Sequence, residues 1–142
     1  MDEVPALAEW IIDQTTDALI YADRNGNIVR WNQAASRLFG FSAAEALGAS
    51  LDLIIPEHLR AAHWAGFDAA ISSGATKLHG RPTLTRGLHK SGRKLYVEMS
   101  FALVKDTEGV AIGSVAMARD VTEKIEKERA ARKADAAGGQ GA

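Results

Sequence analysis

Leu95, Val97, Met99, Phe101 and Leu103 occupy every second position of one stretch. Side chains alternate across a strand, so these residues form a single apolar face. Such a face needs a covering layer, and the cheapest cover is a set of helices packed on one side of a sheet. Turns bound the stretch at both ends, Lys90-Ser91-Gly92 before it and Asp106-Thr107-Glu108-Gly109 after it. Its sequence neighbours are therefore antiparallel to it. Lys77 to His89 reads as the preceding extended segment, with Pro82 implying an edge or bulge because it cannot donate to a ladder. Val110 to Arg119, rich in small residues, reads as the last strand.

The earlier half supplies two more strands and the cover. Ala18 to Ala22 is apolar and short, and Asp23-Arg24-Asn25-Gly26 turns it back. Asn27 to Asn32 then alternates, with Ile28 and Arg30 opposed to Val29 and Trp31, and completes a hairpin. Ala34, Leu38 and Phe39 lie on a short helix that Gly40 ends. Ser42 and Glu45 have capping-box spacing, and Gly48 closes that helix. Val4, Leu7, Ala8 and Ile11, with Trp10 beside them, give an amphipathic N-terminal helix, either a lid on the domain's own core or a dimer contact. After Asp120-Val121-Thr122-Glu123 the chain becomes a charged, Ala-rich helix, and AAGGQGA is expected to be a disordered tail. The expected organisation is an N-terminal helix over residues 1–13, one α+β domain over 14–123 with a five-stranded antiparallel sheet and helices on one face, and a helix and tail over 124–142.

Between the halves lies Ile54 to Ile71, which reads as a helix beginning at Pro56 and ending before Gly74. Leu59, His63, Phe67 and Ile71 recur four apart and share one stripe. A histidine thus falls on the inward side, where a polar group needs a hydrogen bond or a metal. The residues alone leave both open. His58 and His63 are five apart, off the spacing of a helical zinc pair. Trp64 points about a hundred degrees away from His63, which suits packing or an interface.

Composition removes several classes of function. A formal net charge of -1 and a pI of about 6.4 give no electrostatic reason to expect nucleic acid or a membrane surface. No apolar run approaches the roughly 20 residues of a membrane span, and an acidic N-terminus without a signal-peptide pattern suggests a cytoplasmic protein. With no Cys, disulfides, thiolate metal sites and thiol-linked cofactors are excluded together. No phosphate-binding glycine loop or nucleophile motif is present, so no enzyme is expected.

The punctuation of the chain resembles the PAS sensor domain from about Gln14 to Glu123. The marks are Asp23-Arg24-Asn25-Gly26-Asn27-Ile28, Trp31-Asn32-Gln33-Ala34-Ala35, Leu38-Phe39-Gly40-Phe41-Ser42, Glu45-Ala46-Leu47-Gly48, Lys90-Ser91-Gly92 and Arg119-Asp120-Val121-Thr122-Glu123. PAS domains share a fold and differ in what they bind. IIPEHLRAAH resembles the segment of haem-binding PAS domains in bacterial oxygen sensors, where an axial His follows a Pro by seven residues; here these are Pro56 and His63. The resemblance implies non-covalent haem b, and the small residues of the helix (Ala61, Ala62, Ala65, Gly66, Ala69, Ala70) leave room for a flat macrocycle. It also implies a distal wall of Thr83, Met99 and Phe101, with Met99 a possible sixth ligand of the iron. Relatives carry an Arg at the position of Thr83, and Arg81, expected on the same strand face, is the nearest substitute. Val115 and Met117 are expected to add to that wall. A diatomic gas (O2, CO or NO) or redox state is then the signal, passed to a homodimer partner and a separate effector protein. The alternatives are a haem-free module binding flavin or a small apolar ligand, and an adaptor with a filled core.

Overall fold

The structure is a computed structural model that describes residues 6–77 and 79–140. Val4 and the end of the glycine-rich tail lie outside the described residues. Helix α1 (Leu7–Gln14) precedes strands β1 (Ala18–Asp23) and β2 (Ile28–Trp31). Short helices α2 (Gln33–Phe39) and α3 (Ala43–Ala46) follow, then the longer α4 (Arg60–Ser73). Strands β3 (Thr83–Leu88), β4 (Lys94–Lys105) and β5 (Ala111–Asp120) lead to α5 (Thr122–Gln140). The five strands form one antiparallel sheet in the order β2-β1-β5-β4-β3. This is the α+β architecture expected from the alternation at 95–103, and the buried core lies between one sheet face and α2–α4.

Local chemistry explains the short elements. The capping box of α3 is complete, with Ser42 Oγ accepting from Glu45 N and Glu45 Oε1 accepting from Ser42 N. Gly40 and Gly74 end α2 and α4 in the left-handed region that favours glycine. Asn32 caps α2 and does more than that. Its side-chain oxygen accepts from Ala35 N and Leu19 N, both at 2.9 Å, while its amide nitrogen donates to Ile12 O at 2.9 Å and Asp17 O at 3.0 Å. One buried amide thereby joins the end of α1, the start of β1 and the first turn of α2.

Four expectations need correction. β2 does not alternate simply, because Val29 is an extra residue opposite the Tyr21/Ala22 step. This bulge turns Ile28 and Trp31 inward together and leaves Val29 and Arg30 outside. The strand before β4 is shorter than Lys77 to His89: His79 and Gly80 have positive φ, Pro82 lacks a donor, and pairing begins at Thr83. The helix after Pro56 opens as a 3-10 turn at Glu57–Leu59 and becomes α-helical at Arg60, with Pro56 itself extended. Finally, α5 runs to Gln140 instead of loosening at the first alanines of the tail, since Ala136 and Ala137 favour helix and prolong a helix already started.

Two outcomes follow. Asn32→Asp replaces two donors with acceptors facing Ile12 O and Asp17 O, so unfolding free energy should fall by about 3 kcal/mol or more; urea melts of the two proteins check this. The Lys90 ammonium, 2.6 Å from Glu45, together with Ser42 N, holds the Glu45 carboxyl at about 2 against an ordinary 4.5. A carboxyl depressed in the folded state stabilises fully above its unfolded value and loses that effect as pH falls through its folded value. The stability advantage of the parent over Glu45→Gln should therefore be constant above about pH 5 and shrink toward pH 2, as read by circular dichroism.

Candidate functional site

The site is built on α4. Arg60 folds back over the preceding turn, donating through Nε to Ile55 O at 3.0 Å and through a terminal nitrogen to Asp52 O at 3.2 Å. Asp52 also accepts from the Trp64 indole at 2.7 Å. The Trp64 ring lies on Gly26, which has φ of 80°, and a Cβ there would overlap the ring. Glycine is thus required by both the backbone and the close approach. Trp64, fixed in this way, meets His63 edge-on at 4.7 Å, and His63 stacks on Phe67 at 6.0 Å between ring centroids. The expected stripe is present: Phe67 is buried, and Leu59, His63 and Ile71 are half-buried beside it. Trp64 takes the packing role.

Facing this stripe is the covered side of the sheet. Between the two lie cavities of about 320 Å³ and 250 Å³ that share Ala62, His63, Phe101 and Ser114. The larger chamber is bounded by Ile20, Phe39, Leu59, Thr83, Met99 and Ala116, among others. The smaller extends along α4 past Gly66, Phe67 and Ala70 to Lys77 and Arg81. His63 stands at the seam. Burial pushes its imidazole below the ordinary 6.5, against the pull of Asp52 and Asp68, so the ring is neutral at pH 7. Its Nδ1 is buried with no hydrogen-bond partner. An orphaned buried nitrogen costs about 1–3 kcal/mol. It shares that state with Arg86 Nε, and both residues line the larger chamber, where an unpaired polar atom points to a ligand.

The expected wall residues are only partly brought together. Thr83, Met99 and Phe101 line the larger chamber with His63. Val115 and Met117 do not belong there. Register pairs Phe101 with Ala116 and Leu103 with Ser114, so 114 and 116 share the covered face, while Met117 lies beside Glu98, Ser100 and Pro82 on the other side. Arg81 is also displaced from its expected position. It precedes β3, shares no strand face with Thr83, and lines the smaller chamber. Sequence reasoning missed Ser114, Ala116 and Thr85; extending the alternation from Thr83 would have found Thr85, but in β5 the small residues and not the large ones face the core, which conceals its phase. It also missed Arg86, whose Nε is buried without a partner and whose guanidinium lies 4.9 Å from the Tyr96 ring centre.

The site is thus a mostly apolar cavity between sheet and α4 with one imidazole at its seam, carried on an α+β domain. The chain belongs to the PAS fold family, whose model matches residues 12–126. It is similar to the oxygen sensor protein DosP of Escherichia coli (strain K12), 26% identical over 119 residues that make up 83% of this chain and 15% of that protein. The sensor protein FixL of Bradyrhizobium diazoefficiens is 40% identical over 53 residues, 37% of this chain and 10% of FixL. The chain thus spans a small part of the curated relatives it matches. Among solved structures, the PAS domain of a Colwellia psychrerythraea protein superposes with a TM-score of 0.73 at 20% identity, covering 85% of this chain and 99% of that one. An RNA-binding Light-Oxygen-Voltage receptor does so with a TM-score of 0.71 at 24% identity, covering 94% and 37%. These structural likenesses establish the fold. No described helix is long and apolar enough to cross a membrane.

Proposed function

We propose that this PAS domain is a haem-binding sensor of a diatomic gas or of redox state, with His63 as the axial ligand of the iron. The observation that carries this reading is the neutral imidazole at the seam of two chambers, with a buried ring nitrogen that no protein group satisfies. Similarity to an oxygen sensor supports it. The residues fit the group: the lining is largely apolar, and Ala62, Gly66 and Ala70 leave the α4 face shallow enough for a macrocycle spanning both chambers. Haem supplies an iron that binds a gas or changes oxidation state. With no thiol in the chain, its attachment is non-covalent. Met99, buried on β4, offers a thioether to the chamber that His63 shares, and Thr83, Thr85, Arg86 and Ser114 are the other polar residues of its sheet lining.

Output runs through the flanking helices to a partner. Thr122, the first residue of α5, accepts from Tyr96 N at 2.9 Å and donates to Tyr96 O at 3.3 Å. Arg129 of the same helix lies 4.8 Å from the Tyr96 ring centre. β3 reaches the same ring through Arg86, beside pocket residues Thr85 and Gly87. At the other end, α1 leaves Leu7, Trp10 and Ile11 at 44%, 51% and 60% exposure, an apolar stripe suited to a second copy of the chain.

Titrating the purified protein with ferric haem should produce a saturable Soret band, and His63→Ala should abolish it or weaken binding by at least about a hundredfold. A full spectrum in His63→Ala would remove the axial assignment. No band in the parent would pass the pocket to flavin or a small apolar ligand. For the assembly, light scattering should give a dimer whose mass halves when residues 1–13 are deleted. A monomeric parent, or a dimer that survives the deletion, would exclude α1 as the contact.

A further inference from the structure

Two side chains one turn apart on α4 grip the same stretch of chain. Arg60 donates to the carbonyls of Ile55 and Asp52. Trp64, four residues on and therefore on the same side of the helix, donates its indole N–H to the Asp52 carboxylate at 2.7 Å. Asp52 belongs to a 3-10 turn, Leu51–Ile54, whose Leu51 and Ile54 are walls of the larger chamber. The far edge of the indole rests on Gly26, whose carbonyl accepts from Leu51 N at 3.0 Å. One indole thus closes a circuit of contacts among the first hairpin turn, the 3-10 turn and α4. His63 is the neighbouring residue, and Trp64 meets its ring edge-on at 4.7 Å while Phe67 stacks on it at 6.0 Å. Trp64 and Phe67 also meet each other edge-on at 5.3 Å. A histidine that serves as a ligand is usually oriented by a hydrogen bond at its second ring nitrogen. The buried Nδ1 of His63 has no such partner, so its direction has to come from the rings around it.

We propose that Trp64 is the positioning residue of His63: bonded to Asp52 and seated on Gly26, its indole fixes the direction in which the imidazole faces the pocket. That His63 faces iron there rests on the function proposed above. The working part of the brace is the N–H bond to Asp52. Without it nothing polar ties the indole to the 3-10 turn, and the imidazole loses one of the two rings that confine it. Arg60 holds the same turn through backbone carbonyls alone, so α4 stays docked when the indole bond is removed. The geometry therefore separates orienting His63 from folding the helix, and the two roles give different experimental results.

The test uses four variants. Trp64→Phe keeps an aromatic ring and loses the N–H, Asp52→Ala loses the acceptor, the double variant loses both, and Asp52→Asn keeps an oxygen that accepts. Two signals are read: the χ1 populations of His63 in the apoprotein, from NMR side-chain couplings, and the iron–histidine stretching band of the reduced haem complex. The parent should show one rotamer and a narrow band. Trp64→Phe and Asp52→Ala should each give mixed rotamers and a shifted, broadened band, with haem bound on the order of tenfold more weakly. The double variant should be no worse than either single one, because all three lack the same bond, and Asp52→Asn should behave as the parent. One unchanged rotamer and an unchanged band in Trp64→Phe overturn the assignment, even where haem affinity falls, since Trp64 would then only stabilise the fold. Additive losses in the double variant, or an Asp52→Asn as impaired as Asp52→Ala, overturn the indole bond as the agent. If the parent gives no Soret band, the haem reading has failed, and the apoprotein rotamers alone decide: mixing in Trp64→Phe upholds Trp64 as the positioning residue, and a single rotamer overturns it.

Discussion

Four hydrogen bonds on one side chain hold this domain's framework in register. Asn32 is 1% exposed, and each of its polar atoms is used twice. It follows β2, so it closes the first hairpin while capping the helix that begins the cover. Its backbone N–H also donates to Leu19 O, continuing the ladder into the cap. The phase of β1 depends on that junction, and with it the placement of Ile20 and Ala22 on the covered face. Those two residues floor the larger chamber. A neutral amide is the only side chain of this size that can donate twice and accept twice in such a place.

The covered sheet face was readable where side chains contrast sharply. Leu95, Val97 and Met99 are buried as the alternation requires, and Tyr96, Glu98 and Ser100 point away. Where contrast is low, the reading failed. β5 runs Ala-Ile-Gly-Ser-Val-Ala-Met-Ala, and its larger residues, Ile112, Val115 and Met117, lie on the outer face while the small ones line the pocket. Hydrophobicity alone would turn the strand over. The physical reason is room: a cavity needs small residues on its wall, so the strand reserves its bulk for the other side. The same difficulty hid the bulge in β2, because Val29 is as apolar as its buried neighbours and only the extra residue in the register puts it outside.

On α4 the fourfold spacing placed His63 correctly, since a helix long enough to be periodic fixes which residues face inward. The backbone between α4 and β3 was not legible in the same way. His79 adopts a φ of 50° that few non-glycine residues take, and this turn carries Arg81 away from the strand face on which alternation alone would place it. Trp64 shows the opposite case. Its role required knowing that Gly26, thirty-eight positions earlier in the chain, would leave a bare backbone for the indole to cover. Contacts of that kind arise from packing between elements, and no local pattern announces them.

The proposed haem site depends on His63 bonding to iron, and the most direct observation is of that bond. Resonance Raman spectra of the reduced haem complex, prepared with natural-abundance and with 15N-histidine protein, should contain a low-frequency iron–nitrogen stretching band that moves to lower frequency in the labelled sample. In His63→Gly the band should vanish and return on addition of free imidazole. A band that ignores the label, or one that persists unchanged in His63→Gly without imidazole, would mean that the iron is held elsewhere and that the unpaired nitrogen of His63 serves another ligand.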